Sequence, residues 1–425
     1  MRIASIVVAY IRAARGRKPL FSGLAVYLGF LTALLLTAPA LSATSPVGAI
    51  PGQFKVSESG AATYSIPIAM PPGTAGMKPN LSINYSSQSG NGLLGMGWSL
   101  GGLSVIHRCP KTVAQDGALG GVNFDANDRF CIDGQRLVAI AGTYGAPNTE
   151  YRTETESYSR IVSYGTTGTG PTSFKVWTKS GQIMEYGVTN DSRIQPQGQA
   201  TAMLWALNKV SDTVGNYLTI TYNQDQPNGQ YYPARIDYAG NSNTGKAPSN
   251  SIQFTYETRP DITPLYQAGA LMKNTVRMSK VQTYTGTTLT KEYRLAYDVS
   301  AATSRSRLAS LTECAGDGVC LKATDIGWIS SPAAITATNN AVQTVAGDWR
   351  SSYAVYPGDY NGDGVTDLYL VGSSASYFAS GVSPRPDLLS TLTTGLGATI
   401  SISPPNRGRL TKGKLKYVKD GNMES

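Results

Sequence analysis

Residues able to do chemistry are sparse in this chain and gather in two places. The first is the loop Asp359-Tyr360-Asn361-Gly362-Asp363-Gly364-Val365-Thr366-Asp367. Oxygen side chains at alternate positions of a tight glycine turn converge on a hard cation, and the Val365 carbonyl adds a ligand. Asp359, Asn361, Asp363, Val365 and Asp367 are therefore expected to hold Ca2+. An EF-hand would need glutamate where Leu370 stands, and helices on both sides. Here the loop is flanked by strand-like runs, Tyr353 to Tyr356 and Leu368 to Val371.

The second place is Ser89 to Ser104, SGNGLLGMGWSLGGLS, in which two motif strings overlap. Gly90-Asn91-Gly92-Leu93-Leu94-Gly95 matches G-x-G-x-x-G, with Asp116 in the right neighbourhood for a ribose-binding acid. Gly97-Trp98-Ser99-Leu100-Gly101 matches the G-x-S-x-G nucleophile elbow. Each chemistry needs a helix directly after the motif, and glycine in a helix interior costs about 1 kcal/mol against alanine. The six glycines here favour tight loops packed around Trp98. His107, the sole histidine, follows Ser99 by eight residues on an expected strand, so a hydrolase triad lacks its base. One histidine also removes multi-histidine zinc sites, and no carboxylate pair stands out by spacing. The stretch reads as a structural crossing. No catalytic and no organic-cofactor residue is assigned.

The elements that must hold these stretches are strands. With 46 glycines, 25 tyrosines, 23 prolines and 15% charged residues in 425, the texture is of short extended segments and turns. Leu81, Ile83 and Tyr85 alternate with Ser82, Asn84 and Ser86, and lead into the glycine stretch. Gly52 to Ile68 reads as a strand with Pro67 near its end. Asp128 to Val138 carries an Asp133-Gly134 hairpin turn. Ser173 to Trp177, Gln182 to Val188, Leu218 to Tyr222, Ile252 to Tyr256 and Val276 to Tyr284 continue the series, while Ala200 to Val210 reads as one short helix. An all-β fold follows.

Met1 to Ala43 has a basic start, an apolar run from Leu20 to Leu36 and small residues around Ala40 and Ala43, the layout of a secretory signal peptide; an uncleaved anchor is its alternative. Five cations (Arg2, Arg12, Arg15, Arg17, Lys18) lie in that segment, and the tail from Arg407 to Ser425 carries a net +4. Removing both from the formal +9 leaves the body near neutral, which argues against nucleic acid. Cys109, Cys131, Cys314 and Cys320 suit an oxidising compartment. Of their three connectivities, local pairing is the simplest.

Residues 72–108, with LSINYSSQSGNGLLGMGWSLGGLSVIHR, together with DRFCIDGQRL, KEYRLAYD and TECAGDGVCL, resemble the SpvB-type domain of Salmonella plasmid virulence protein B and of TcB (TcdB/TcaC-like) insecticidal toxin-complex components. The calcium loop resembles an FG-GAP (VCBS-type) repeat, and PDLLSTLTTGLGATISIS resembles the start of the TcB middle region. A weak echo between DTVGNYLTITY and ARIDYAGN is similar to tyrosine-aspartate repeats of Rhs-type proteins. Composition and the resemblance together divide the chain: a signal peptide (1–43), a linker (331–340) and a basic tail (404–425) read from composition, and, as the resemblance implies, an SpvB-like β domain (44–330), a partial FG-GAP β-propeller-type blade (341–385) and the start of the middle region (386–403). The resemblance further implies a secreted, non-enzymatic scaffold that reaches the exterior through the periplasm, with the cell surface as another station. Its partners would be toxin-complex or Rhs-type proteins. No nucleic acid or small-molecule substrate is expected, and membrane contact only through an uncleaved signal. The abrupt basic ending suggests a truncated or frameshifted longer protein. The alternative is a free-standing calcium-dependent adhesion module.

Overall fold

The structure, a computed structural model, describes residues 46–329, 353–358, 367–372, 376–379, 387–402, 416–419 and 422–423. The signal segment, the linker and most of the basic tail lie outside these residues. What is described is nearly all β, as expected, with single-turn helical pieces such as Val113–Asp116.

Near the N-terminus, Gln53–Val56, Ala62–Pro67, Ser82–Ser86 and Trp98–Gly101 form a four-stranded antiparallel sheet in chain order. The segment read as one strand from Gly52 is two, because Gly60, at φ 79°, lets the chain turn back and its amide donates to the Ser57 carbonyl. Pro67 closes the second strand, where a missing donor costs no ladder bond.

The next strands close on themselves. Val105–Cys109, Arg129–Ile132, Gln135–Ala141, Glu150–Thr153, Arg160–Tyr164, Ser173–Trp177, Ile183–Tyr186 and Leu204–Ser211 pair in succession, and the last returns to the first, giving a closed eight-stranded barrel. The Asp133-Gly134 turn sits where the sequence puts it, with φ values of 47° and 83°. Alternation fills the lumen with aromatic rings. Phe130 lies 5.4 Å from Phe174 and 5.3 Å from Trp205, centroid to centroid, and all three are buried.

Leu204–Ser211 corrects the expected helix over Ala200 to Val210. Its first residues pair with Val105–Cys109 on one side and Arg193–Ile194 on the other; its later ones pair with Asn216–Asp225 and Ile183–Tyr186. Paired on both edges, the strand is buried without a break from Leu204 to Asn208, and an uninterrupted apolar run such as Leu204 to Leu207 has neither helical nor strand periodicity. This strand is the junction of the molecule. From it an antiparallel meander runs through Gln230–Asn241, Asn250–Thr258, Val276–Thr285, Thr288–Val299, Ser306–Ala315 and Thr324–Trp328. The two echo segments pair with each other within it, Asn216 opposite Asn241.

The meander then takes up Leu389–Thr393, which pairs with Thr324–Trp328, and Thr399–Ser401. Residues on the two sides of the boundary expected at 330 thus share one sheet. Between them, Tyr353–Gly358, Asp367–Gly372 and Ser376–Ala379 form a separate three-stranded antiparallel sheet. A propeller blade has four strands, and one is not seen among the described residues.

The cysteines pair locally, Cys109 with Cys131 and Cys314 with Cys320. The first disulfide joins neighbouring barrel strands around a loop fixed by Asp116. Arg129 Nε reaches its Oδ1 at 2.7 Å, Arg136 Nη2 its Oδ2 at 2.6 Å, and the Thr112 amide donates at 2.9 Å. Burial pushes the Asp116 carboxyl up, but these donors together outweigh it and hold it at about 2. A carboxyl with its folded pKa depressed contributes stability above its unfolded value, and that contribution disappears as pH falls from about 4 toward 2. Asp116→Asn is therefore expected to lower the urea midpoint at pH 7 and to converge with the wild type near pH 2, as followed by circular dichroism.

Candidate functional site

Of the calcium residues, Asp359, Asn361, Asp363 and Val365 lie outside the described residues. Asp367 opens the strand Asp367–Gly372, and its backbone pairs with Gly358, so the two ends of the loop are held together as a hairpin. That closure suits a tight ligand loop. Among the described residues no group of three or more His, Cys, Asp or Glu could hold a metal.

The glycine stretch is described in full. Asn91–Gly92 and Gly95–Met96 form a minimal hairpin with Leu93 and Leu94 at its tip, and Trp98–Gly101 follows as a strand, so the helix required by either motif is absent. Ser99 is exposed opposite Asn84 in the four-stranded sheet, whereas His107 stands in the barrel between Cys131 and Leu204. No hydrogen bond joins them among the described residues. Burial lowers the His107 pKa, and Asp133 opposes this in part. Asp116, the acid that the dinucleotide reading would need, is occupied by Arg129 and Arg136.

What the stretch does is cross other chain segments at close range. A Cβ on Gly102, at φ 97°, would sit 1.9 Å from the Asn80 carbonyl oxygen, and one on Gly95, at φ 82°, 2.6 Å from that of Ser306. Trp98 is 1% exposed, its ring centroid 5.4 Å from that of Tyr85, which in turn lies 6.1 Å from Trp328. The Met278 amide donates to the Leu93 carbonyl at 2.9 Å, seating the hairpin tip on the meander.

A buried polar clamp, invisible to motif reading, fixes this crossing. Arg259 donates to the Gly92 carbonyl (2.9 Å), to Asn91 Oδ1 (2.6 Å) and, through Nε and Nη2, to both Asp261 oxygens (2.9 and 2.8 Å). Asn91 Nδ2 (2.8 Å), the Ser306 amide (2.7 Å) and Ser306 Oγ (2.5 Å) also donate to Asp261. Burial raises the Asp261 carboxyl pKa, but Arg259 and Ser306 outweigh it and hold it well below the ordinary carboxylate range. A carboxylate receiving five donors is a cross-link, with no lone pair left for metal or proton transfer.

A second such pair lies in the barrel. Arg108 and Asp128 meet at 2.9 Å with both side chains fully buried. Arg108 also donates to the carbonyls of Ala202 (2.7 Å) and Asp125 (2.9 Å), and its guanidinium carbon is 5.7 Å from the Phe130 centroid and 5.8 Å from that of Trp205. The available signal was a charged residue in register with Ile106 on an alternating strand.

Comparison with known proteins matches residues 56–251 to the family model described as Salmonella virulence plasmid 65kDa B protein, SpvB. Curated relatives are the mono(ADP-ribosyl)transferases SpvB of Salmonella typhimurium and Salmonella dublin, each 24% identical over 216 residues that cover 46% of this chain and 35% of the relative. The chain thus spans about a third of the length of the curated relatives it matches. Among solved structures, TcdB2-TccC3 aligns with 88% of this chain and 22% of its own at TM-score 0.57 and 17% identity. The Photorhabdus luminescens Tc holotoxin pore aligns with 88% and 21%, at TM-score 0.57 and 19% identity. These structural likenesses concern the fold. The names of the curated relatives overturn the expectation of a non-enzymatic protein, because those relatives are transferases. An FG-GAP repeat and a truncation are not among the findings.

Proposed function

We propose that this chain is part of a secreted virulence protein of the toxin-complex type, and that its barrel and meander serve as the docking body for a toxin-complex or Rhs-type partner chain. The observation that carries this reading is the fold likeness to TcdB2-TccC3, which extends over 88% of the chain and so includes the meander beyond the SpvB-matched region. A body cross-linked by buried ion pairs and two disulfides suits a part that holds others in place. The test is a pull-down with the full chain against Rhs-type and carrier proteins, and the expected result is stable retention of one of them. Binding to neither, with calcium-dependent attachment to glycans or cells, overturns the reading. Incubating the retained complex with labelled NAD+ tests whether the mono(ADP-ribosyl) transfer named for the relatives extends to this chain.

The loop from Asp359 to Asp367 is proposed to bind Ca2+ within that body. Asp363→Ala removes one carboxylate and is expected to weaken calcium binding by tenfold or more, as read by titration calorimetry on the full chain. Unchanged affinity removes the loop from consideration.

A further inference from the structure

The two disulfides stand in opposite surroundings. Cys109 and Cys131 are 6% and 7% exposed, in barrel strands whose ladder runs from Ile106 to Cys109. Cys314 is as well hidden, at 1%, but its partner Cys320 is partly open to solvent, and every residue of the loop between them, Ala315 to Val319, is exposed. Cys314 and Cys320 face each other as a bridge flanked by two backbone hydrogen bonds, from the Ala315 amide to the Val319 carbonyl (2.8 Å) and from the Leu321 amide to the Glu313 carbonyl (2.8 Å). Pairing of Ser306–Ala315 with Thr324–Trp328 is confined to Ser310 and Leu311. Beyond Leu311, those two bonds and the disulfide fasten the returning chain to the strand. That chain then enters a crossing. A Cβ on Gly48 would lie 2.9 Å from Leu321 Cδ2, and one on Gly395 would lie 2.6 Å from the Lys322 carbonyl oxygen and 3.0 Å from that of Gly48. Three segments far apart in sequence thus meet where glycine permits the contact.

We propose that Cys320 is a site of thiol–disulfide exchange, and that Cys314–Cys320 is a reducible clasp on this crossing. The clasp is closed in an oxidising compartment and opened by a dithiol reductant, while Cys109–Cys131 stays closed. A thiolate of the reductant attacks Cys320 Sγ, the S–S bond breaks, and Cys314 leaves as a thiolate that takes up a proton. The reductant's second thiol then attacks the mixed disulfide and frees Cys320. The protein gains two electrons and two protons, and the reductant ends as its own disulfide. Access selects the sulfur, since Cys314 is buried and Cys320 is not. Opening leaves the body folded, because the constraint a disulfide places on the unfolded chain grows with the loop it closes, and the sequence separation here is 6 against 22 for Cys109–Cys131. What loosens is the segment from Cys320 to Lys322, and with it the contacts at Gly48 and Gly395.

The test treats the full chain with dithiothreitol under native conditions for graded times, blocks free thiols by alkylation and reads each cysteine by peptide mass spectrometry. Cys314 and Cys320 are expected to be labelled at least about tenfold faster than Cys109 and Cys131. Equal rates, or earlier opening of Cys109–Cys131, overturn the site. Two variants locate the attack. The Cys320 thiol of Cys314→Ser is expected to take up glutathione from oxidised glutathione about tenfold faster than the Cys314 thiol of Cys320→Ser, and the reverse order overturns Cys320 as the point of entry. With the clasp open, the thermal midpoint is expected to move by less than about 5 °C. Exchange of the Leu321 and Thr394 amides, bonded to Glu313 and Ala398 in the closed form, is expected to rise about threefold or more. Loss of the fold on opening, or unchanged exchange at both amides, overturns the clasp.

Discussion

Replacing Trp98 with alanine is expected to destabilise the body by about 4 kcal/mol, a large share of the ~5–15 kcal/mol by which domains are stable. The ring is 1% exposed, and its indole Nε1 has no hydrogen-bond partner among the described residues, so packing holds it. Its ring lies against Tyr85, and the six glycines of the stretch supply no side chains to refill the space it leaves, so the cost should sit within the range for aromatic truncation. Trp98→Phe should recover more than half, and Ser99→Ala, at the exposed next position, should change stability by less than about 0.5 kcal/mol. Urea unfolding by circular dichroism measures all three. A further signature separates this from a generic cavity. Tyr85 loses its main packing partner, so exchange of the Leu389 amide it accepts should accelerate even under native conditions. A loss below about 1 kcal/mol in Trp98→Ala would remove the glycine stretch as a folding core.

Local chemistry made much of the fold legible. The Asp133-Gly134 turn, the strand Ser173–Trp177 and the alternation leading into Ser82–Ser86 each depend on residues within a few positions of one another, and each lies where the sequence puts it. The closed barrel was not legible, because closure depends on which edges meet. The pairing of Leu204 with His107 joins segments with no shared pattern. The helix read over Ala200 to Val210 has the same origin: the junction strand is buried without a break from Leu204 to Asn208, and periodicity then carries no information.

The site was legible mainly in what it excluded. Extra glycines after each motif argue against a helix from composition alone, and strands follow both. The groups that hold the crossing could not be found this way, since Asn91 and Arg259 are separated by 168 positions and neither belongs to a motif. Function was least legible. The motif strings in the glycine stretch form no reactive constellation, so the sequence gives no ground for deciding what activity accompanies this fold. The expectation of no enzymatic activity ran beyond the residues in that respect, and the transferase name of the relatives corrects it.

Arg108→Ala is expected to cost about 3–5 kcal/mol, because it leaves Asp128 buried without its countercharge. The loss has three parts with different remedies. The Ala202 and Asp125 carbonyls lose a charged donor, the Phe130 and Trp205 faces lose a cation, and the Asp128 carboxylate loses its partner. Asp128→Asn alone keeps shape but removes the countercharge, and should cost less, about 1–3 kcal/mol, since Arg108 retains the Ala202 and Asp125 carbonyls and the Asn123 amide, 2.8 Å from Asp128 Oδ1, can still find an acceptor. In the double variant the uncompensated charge is gone, so the combined loss should fall short of the sum by about 2 kcal/mol, a coupling read from urea midpoints across the four-member cycle. Arg108→Lys is not a conservative exchange here. An ammonium cannot span the Ala202 and Asp125 carbonyls and Asp128 in the one plane that a guanidinium occupies, so it should restore less than half of the lost stability. Additive losses in the cycle would mean that Arg108 acts independently of Asp128, through the Ala202 and Asp125 carbonyls and the aromatic faces, and would remove this ion pair from the cohesion of the barrel.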